Sequence, residues 1–154
     1  ITFKNKKEYQ DLIDLNSFIE NSFNEISQLN IKFFGIYLTD NPYFMLKNEK
    51  TFELCYIIGC FYGIINDKSI SVSLDDKEDY ERSILFFLKY GKNMRYNWIA
   101  PITRYYKQKG GMQEKRTVEN VHLSAKYLAD KYPELCKLKF KKKSIYTELY
   151  FFRK

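Results

Sequence analysis

The chain holds one histidine, His122, and six positions before it stands Arg116, in the run Arg116-Thr-Val-Glu-Asn-Val-His122. Histidine ionises near neutral pH and moves a ribose 2′-hydroxyl proton, while arginine keeps a fixed cation against the charge that builds on a phosphate. Together Arg116 and His122 are the candidate catalytic pair for metal-independent RNA cleavage. The plainer reading is a helix-surface histidine beside unrelated arginines, because a single histidine says little by itself.

Other templates for chemistry are not met. Gly110-Gly111 lacks the Gly-Lys-Ser/Thr that would complete a phosphate-cradling loop, so no nucleotide cofactor is expected. Cys55, Cys60 and Cys136 form an odd set without paired metal-ligand spacing, all in apolar contexts where thiols are usually inert. They read as reduced, buried thiols of an intracellular protein. Asp75, Asp76, Glu78, Asp79 and Glu81 bunch ahead of a helical run, but helical spacing scatters them around the axis. They are expected to complement the helix dipole and cap free N–H groups, and no metal site is expected. Glu49-Lys50 and Glu114-Lys115 are too common as dipeptides to mark a carboxylate-and-lysine nuclease centre.

Charge is the stronger signal. Residues 1–90 carry 10 basic against 14 acidic side chains, net −4, whereas residues 91–154 carry 16 against 5, net +11. Such asymmetry points to a polyanion, either nucleic acid or an anionic membrane surface, for the basic half. Between Lys92 and Lys109, cations alternate with Tyr96, Trp98, Tyr105 and Tyr106, the pairing of phosphate contacts and stacking rings that nucleic-acid surfaces use. Trp98 itself reads as a core anchor. The candidate nucleic-acid contacts are Arg95, Arg104, Lys107, Lys109, Lys115, Lys141, Lys142 and Lys143, with Arg116 beside them; DNA and RNA are not distinguished.

These residues need a scaffold. With 154 residues, 45% hydrophobic content, 3 Pro and 6 Gly, the chain has the composition of a folded protein, most simply one domain. Its hydrophobic, mildly acidic body covers residues 1–90 and its basic half residues 91–154. The 14 Tyr and 13 Phe suit an aromatic core, and the excess of Lys, Ile, Asn, Tyr and Phe is what AT-rich coding produces, as in a virus, a mobile element or an AT-rich microbe. The most apolar run, Cys55 to Ile65, is too short to span a bilayer. No signal peptide is visible in a chain that begins at Ile1 rather than Met.

Periodicity predicts a helix over Lys6 to Leu29, a buried strand over Ile31 to Leu38, and an apolar central helix between Tyr43 and Ile65. Ser69 to Leu74, alternating serine with Ile70, Val72 and Leu74, is the clearest strand signal. A helix over Lys77 to Tyr90 should stop at Gly91, and another should start near Ala100 with Pro101 in its first turn and end at Gly110-Gly111. The last helix spans Lys115 to Tyr132 and is closed by Pro133. Two strands, Leu135 to Phe140 and Ser144 to Phe152, then flank Lys141-Lys142-Lys143 as a C-terminal β-hairpin. The expected fold is a helix-rich α+β domain with a small antiparallel sheet or that hairpin.

Three resemblances follow. Helix, turn, helix, strand, basic loop and strand is the order of a winged helix-turn-helix, which implies a helix in the DNA major groove with a wing beside it. The Arg116-to-His122 spacing resembles the motif of HEPN ribonucleases, small helical proteins that often act as dimeric toxins or defence effectors; this implies cleavage by that pair and a homodimer. Asn97-Trp98, Gly110-Gly111 and Ala125-Lys-Tyr-Leu128-Ala-Asp130 resemble the Asn-Trp-Gly region and later helices of Bcl-2-like proteins, which have AT-rich viral members. That implies a non-enzymatic interaction module. Nucleic-acid binding by the basic half is the leading expectation, ahead of the ribonuclease and the interaction module.

Overall fold

A computed structural model describes residues 2–5, 8–41, 45, 50–102, 117–142 and 144–152. In chain order the elements are β1 (Thr2–Asn5), β2 (Glu8–Asp11), α1 (Leu15–Gln28), β3 (Phe33–Ile36), β4 (Lys50–Thr51), β5 (Tyr62–Ile64), α2 (Glu78–Tyr90), β6 (Met94–Tyr96), β7 (Ile99–Ala100), α3 (Val118–Lys131), β8 (Cys136–Lys139) and β9 (Glu148–Phe151). The fold is α+β. Among the described residues there are three sheets, ordered β2-β1-β7, β4-β6-β3-β5 and β8-β9. No described helix is long and apolar enough to cross a membrane.

The central sheet is organised by β3, all four of whose residues are buried. It pairs antiparallel with β5 and parallel with β6, Phe34 facing Met94. Parallel neighbours need a long crossover, and α2 lies in the chain between them. On one side α1 lays Phe18, Phe23 and Ile26 against Phe34, Met94 and Tyr96. Phe18 meets Tyr96 edge-on at 5.1 Å and Trp98 at 6.5 Å, so Trp98 is a core anchor, as its sequence context suggested. Elsewhere Phe33 packs with Ile57 and Phe86.

Several boundaries differ from the periodicity. The first helix begins nine residues later than Lys6 to Leu29 predicts, because Asp14 caps it, Oδ1 accepting from Ser17 N at 3.0 Å, while residues 8–11 pair with β1. Asn30, at φ 53°, closes it in the left-handed region as expected.

The predicted central helix between Tyr43 and Ile65 is not found: its described part is extended and contributes β4 and β5. An apolar run suits a two-sided buried strand as well as a helix. Gly63 decides between them, since a Cβ there would lie 2.1 Å from the Phe34 ring across the sheet. Gly35 does the same for Ile57, 2.2 Å from where its Cβ would be. The small residues seat cross-strand side chains rather than a second helix.

Ser69 to Leu74 is not a ladder strand either. Ser69 N and Ile70 N donate to Asp67, and the Ser73 and Leu74 amides turn to Glu81, a carboxylate 1% exposed in the first turns of α2. Glu81 accepts from Ser73 N at 2.7 Å, Ser73 Oγ at 2.7 Å and Leu74 N at 3.1 Å. The helix it belongs to ends at Gly91, φ 73°, where the sequence placed its stop.

The all-helical folds implied by the Bcl-2-like and HEPN resemblances are not observed, because strands alternate with helices along the chain. The winged-helix arrangement is not confirmed: its first helix, near 100–109, falls mostly outside the described residues. Replacing Glu81 with Ala leaves three donors without their acceptor, so Glu81→Ala is expected to cost about 2–4 kcal/mol in urea unfolding. A cost near zero would show that Glu81 does not hold the 73–74 segment.

Candidate nucleic-acid interface

The last helix and the hairpin form as the sequence predicts, and the hairpin carries exposed lysines. Thr117 caps α3, its Oγ1 accepting from Asn120 N at 3.0 Å, and Val121, Ala125 and Leu128 face inward. After Tyr132 the chain turns tightly, Leu135 N and Cys136 N both donating to the Tyr132 carbonyl. Strands β8 and β9 then pair antiparallel, Lys137 opposite Tyr150 and Leu138 opposite Leu149. Alternation sorts the side chains. Cys136, Leu138, Leu149 and Phe151 pack with Ala125 and Leu128 of α3 and with Tyr80 and Ile84 of α2.

The opposite face carries Lys137, Lys139 and Tyr150, all exposed, with Phe152 half-buried beside them. The Lys137 ammonium lies 5.5 Å from the Tyr150 ring centre and 5.6 Å from that of Phe152; Lys139 lies 5.8 Å from Tyr150. Lys141 and Lys142 are exposed in the connecting loop, after Phe140, which is 72% exposed. None of these four lysines forms an ion pair with a described acidic residue.

The hairpin's one acid is drawn away from them. Glu148 sits opposite Lys139 in register, yet its Oε2 accepts from Tyr80 Oη at 2.8 Å and pairs with Lys77 Nζ at 3.4 Å. Burial, followed by the Glu148 charge, pushes the Tyr80 phenol well above its ordinary range, so Tyr80 stays a donor. Tyr56 stacks on Tyr80 at 4.1 Å and donates to Asp79 Oδ2 at 2.5 Å; its own phenol is raised, by burial first and then by Asp79. These groups line a cavity of about 340 Å³ with Glu78 and Lys141.

The sequence-derived candidates fall into three groups. Lys141 and Lys142 lie exposed in the hairpin loop. Arg95 is half-buried and engaged within the fold, donating to Asn97 Oδ1 and to the Tyr56 carbonyl at 2.9 Å each and lying over the Tyr37 ring. It pins the extended 56–57 segment to β6. Arg104, Lys107, Lys109, Lys115, Arg116 and Lys143 lie outside the described residues, so the Arg116–His122 pair has no described geometry. His122 is on α3 and half-buried, its Nδ1 3.0 Å from Thr147 Oγ1 and its ring 6.4 Å from that of Phe140.

Lys137, Lys139, Tyr150 and Phe152, which share the outer face, were not among the sequence-derived candidates. The signal for them was present, since Lys137 and Lys139 alternate with Cys136 and Leu138 as Tyr150 and Phe152 alternate with Leu149 and Phe151.

The cysteines divide. Cys55 and Cys136 are buried, and burial pushes each thiol up to about 11, which keeps them protonated and inert; Cys60 is exposed, against the expectation that all three are buried. At the start of α2, Asp79 and Glu81 are taken up by Tyr56, Gly59 and the 73–74 backbone. Among the described residues no three acidic, histidine or cysteine side chains converge on a metal position.

Glu78 is the carboxylate that burial, then the adjacent Asp79, raises above its ordinary 4.5. A raised carboxyl favours the fold while protonated and loses that favour as pH climbs through its folded pKa. Glu78→Gln is therefore expected to raise the melting temperature at pH 7 and to leave it unchanged below about pH 4, as measured by thermal melts across pH. A gain of equal size at both ends would assign the effect to packing. Compared with protein-family models, with curated proteins and with solved structures, the chain matches none.

Proposed function

We propose that the protein binds nucleic acid through the outer face of the C-terminal hairpin. The observation that carries this is the placing of Lys137 and Lys139 on the hairpin's outer face, continued by the exposed Lys141 and Lys142 of its loop, none of them ion-paired with a described acid, while Glu148 of the same hairpin is held by Tyr80 and Lys77. Four ammonium groups with no acidic partner among the described residues attract a polyanion and release its counterions on contact. The exposed Tyr150 ring beside them gives bases a stacking surface. On this reading the working compartment is intracellular, where nucleic acid meets reduced thiols such as those of Cys55 and Cys136.

A second reading, RNA cleavage, has one observation in its favour: His122 stands against the same hairpin, bonded to Thr147 beside Phe140. RNA held on the Lys141–Lys142 loop, which follows Phe140 directly, would lie nearest the imidazole, a group suited to proton transfer.

Both readings are open to direct measurement. Fluorescence anisotropy with labelled oligonucleotides across salt should give a log–log slope that falls by about 1.4–1.8 when Lys141 and Lys142 are both changed to Ala. An unchanged slope removes that loop from the interface. For cleavage, His122→Ala should abolish product formation from RNA while leaving affinity within about twofold, since imidazole contributes to the reaction and not to phosphate neutralisation. Equal cleavage by the variant and the parent protein would end the catalytic reading.

A further inference from the structure

We infer that the hairpin selects single-stranded nucleic acid, its bases stacking on Tyr150 and Phe152 and its phosphates meeting Lys137 and Lys139. This rests on the nucleic-acid reading above and narrows it. Along the outer face the groups follow one another as ring, cation, ring, cation. Lys137 lies almost equally far from the rings of Phe152 and Tyr150, and Lys139 flanks Tyr150 on its other neighbour.

A single strand has the same alternation, base, phosphate, base, phosphate, with both parts accessible at once. A duplex does not: its bases are stacked inside and its edge offers phosphates alone. Lysines by themselves would suit either form, so it is the rings that discriminate. Tyr150 and Phe152 stand 6.1 Å apart, tilted edge to face, and Tyr150 remains 45% exposed despite its two cations. Tyr150 therefore keeps part of its ring open to solvent although both ammonium groups lie over it.

A ring face reads neither the 2′-hydroxyl nor a base edge, and the lysines are assigned here to phosphates. DNA and RNA strands should therefore bind alike and with little sequence preference.

The test uses anisotropy at fixed salt with four probes of equal phosphate number per strand: oligo(dT), oligo(U), an abasic strand and a duplex. Oligo(dT) and oligo(U) are expected to bind roughly 5- to 100-fold more tightly than the abasic strand. Tyr150→Leu, which keeps apolar bulk opposite Lys137, should bring them down towards the abasic level, while Tyr150→Phe should restore them. Thermal melting of each variant verifies that the hairpin persists.

If abasic strand or duplex binds as tightly as oligo(dT), or Tyr150→Leu changes nothing, the stacking inference is overturned while salt-sensitive binding leaves the broader reading in place. If no probe binds, both fall together.

Discussion

The first turns of α2 tie together segments that are far apart in the chain. Glu81 holds the backbone of 73–74, Asp79 holds Tyr56 and the Gly59 amide, and Tyr80 holds Glu148 of the hairpin. Each is a hydrogen bond to a carboxylate in a partly or fully buried setting, where an ionised acceptor makes a stronger bond and an unmatched donor costs more than at the surface. Bunched acids at a helix start look like simple dipole complements in the sequence. In the folded protein Asp79 and Glu81 also take partners outside the helix, and Tyr80 reaches the hairpin, which makes this helix the junction between the rest of the fold and the C-terminal unit.

That junction also sets the charge of the hairpin. Residues 136–152 contain five lysines and one glutamate. Had Glu148 paired with Lys139 across the strands, the outer face would have been partly neutralised. Tyr80 and Lys77 hold it away from them, with Tyr56 stacked on the Tyr80 ring. Interior hydrogen bonding and surface electrostatics are thus one arrangement: the bonds that dock the hairpin onto α2 leave its lysines available to a polyanion.

What was legible in the sequence follows how local each signal is. Helix ends with caps, Thr117 for α3 and Gly91 for α2, were placed within a few residues because the deciding atoms lie within one turn. The hairpin was legible because alternation and a lysine-rich loop are adjacent in the chain. The apolar stretch up to Ile65 was misread because periodicity does not separate a buried helix from a strand buried on both faces; only the seat of Phe34 on Gly63 and of Ile57 on Gly35 resolved it. Ser69 to Leu74 alternates as a strand should, but its backbone donors meet Asp67 and Glu81 instead of a neighbouring strand. Arg95 shows the same limit, since composition cannot distinguish an arginine facing a phosphate from one facing a carbonyl of its own fold.

The sequence by itself determined the α+β class, the stop of α2 at Gly91, the existence of α3, the hairpin and its basic loop, and the gathering of positive charge in residues 91–154. Those are properties of residues near one another in the chain. Only the tertiary structure decided which cations remain without acidic partners, that Lys137 and Lys139 stand between Tyr150 and Phe152, and that Glu148 faces inward. The physical reason is that a charge becomes a binding group or a structural one according to what lies within a few ångströms of it, and for Glu148 and Arg95 those neighbours come from segments tens of residues away.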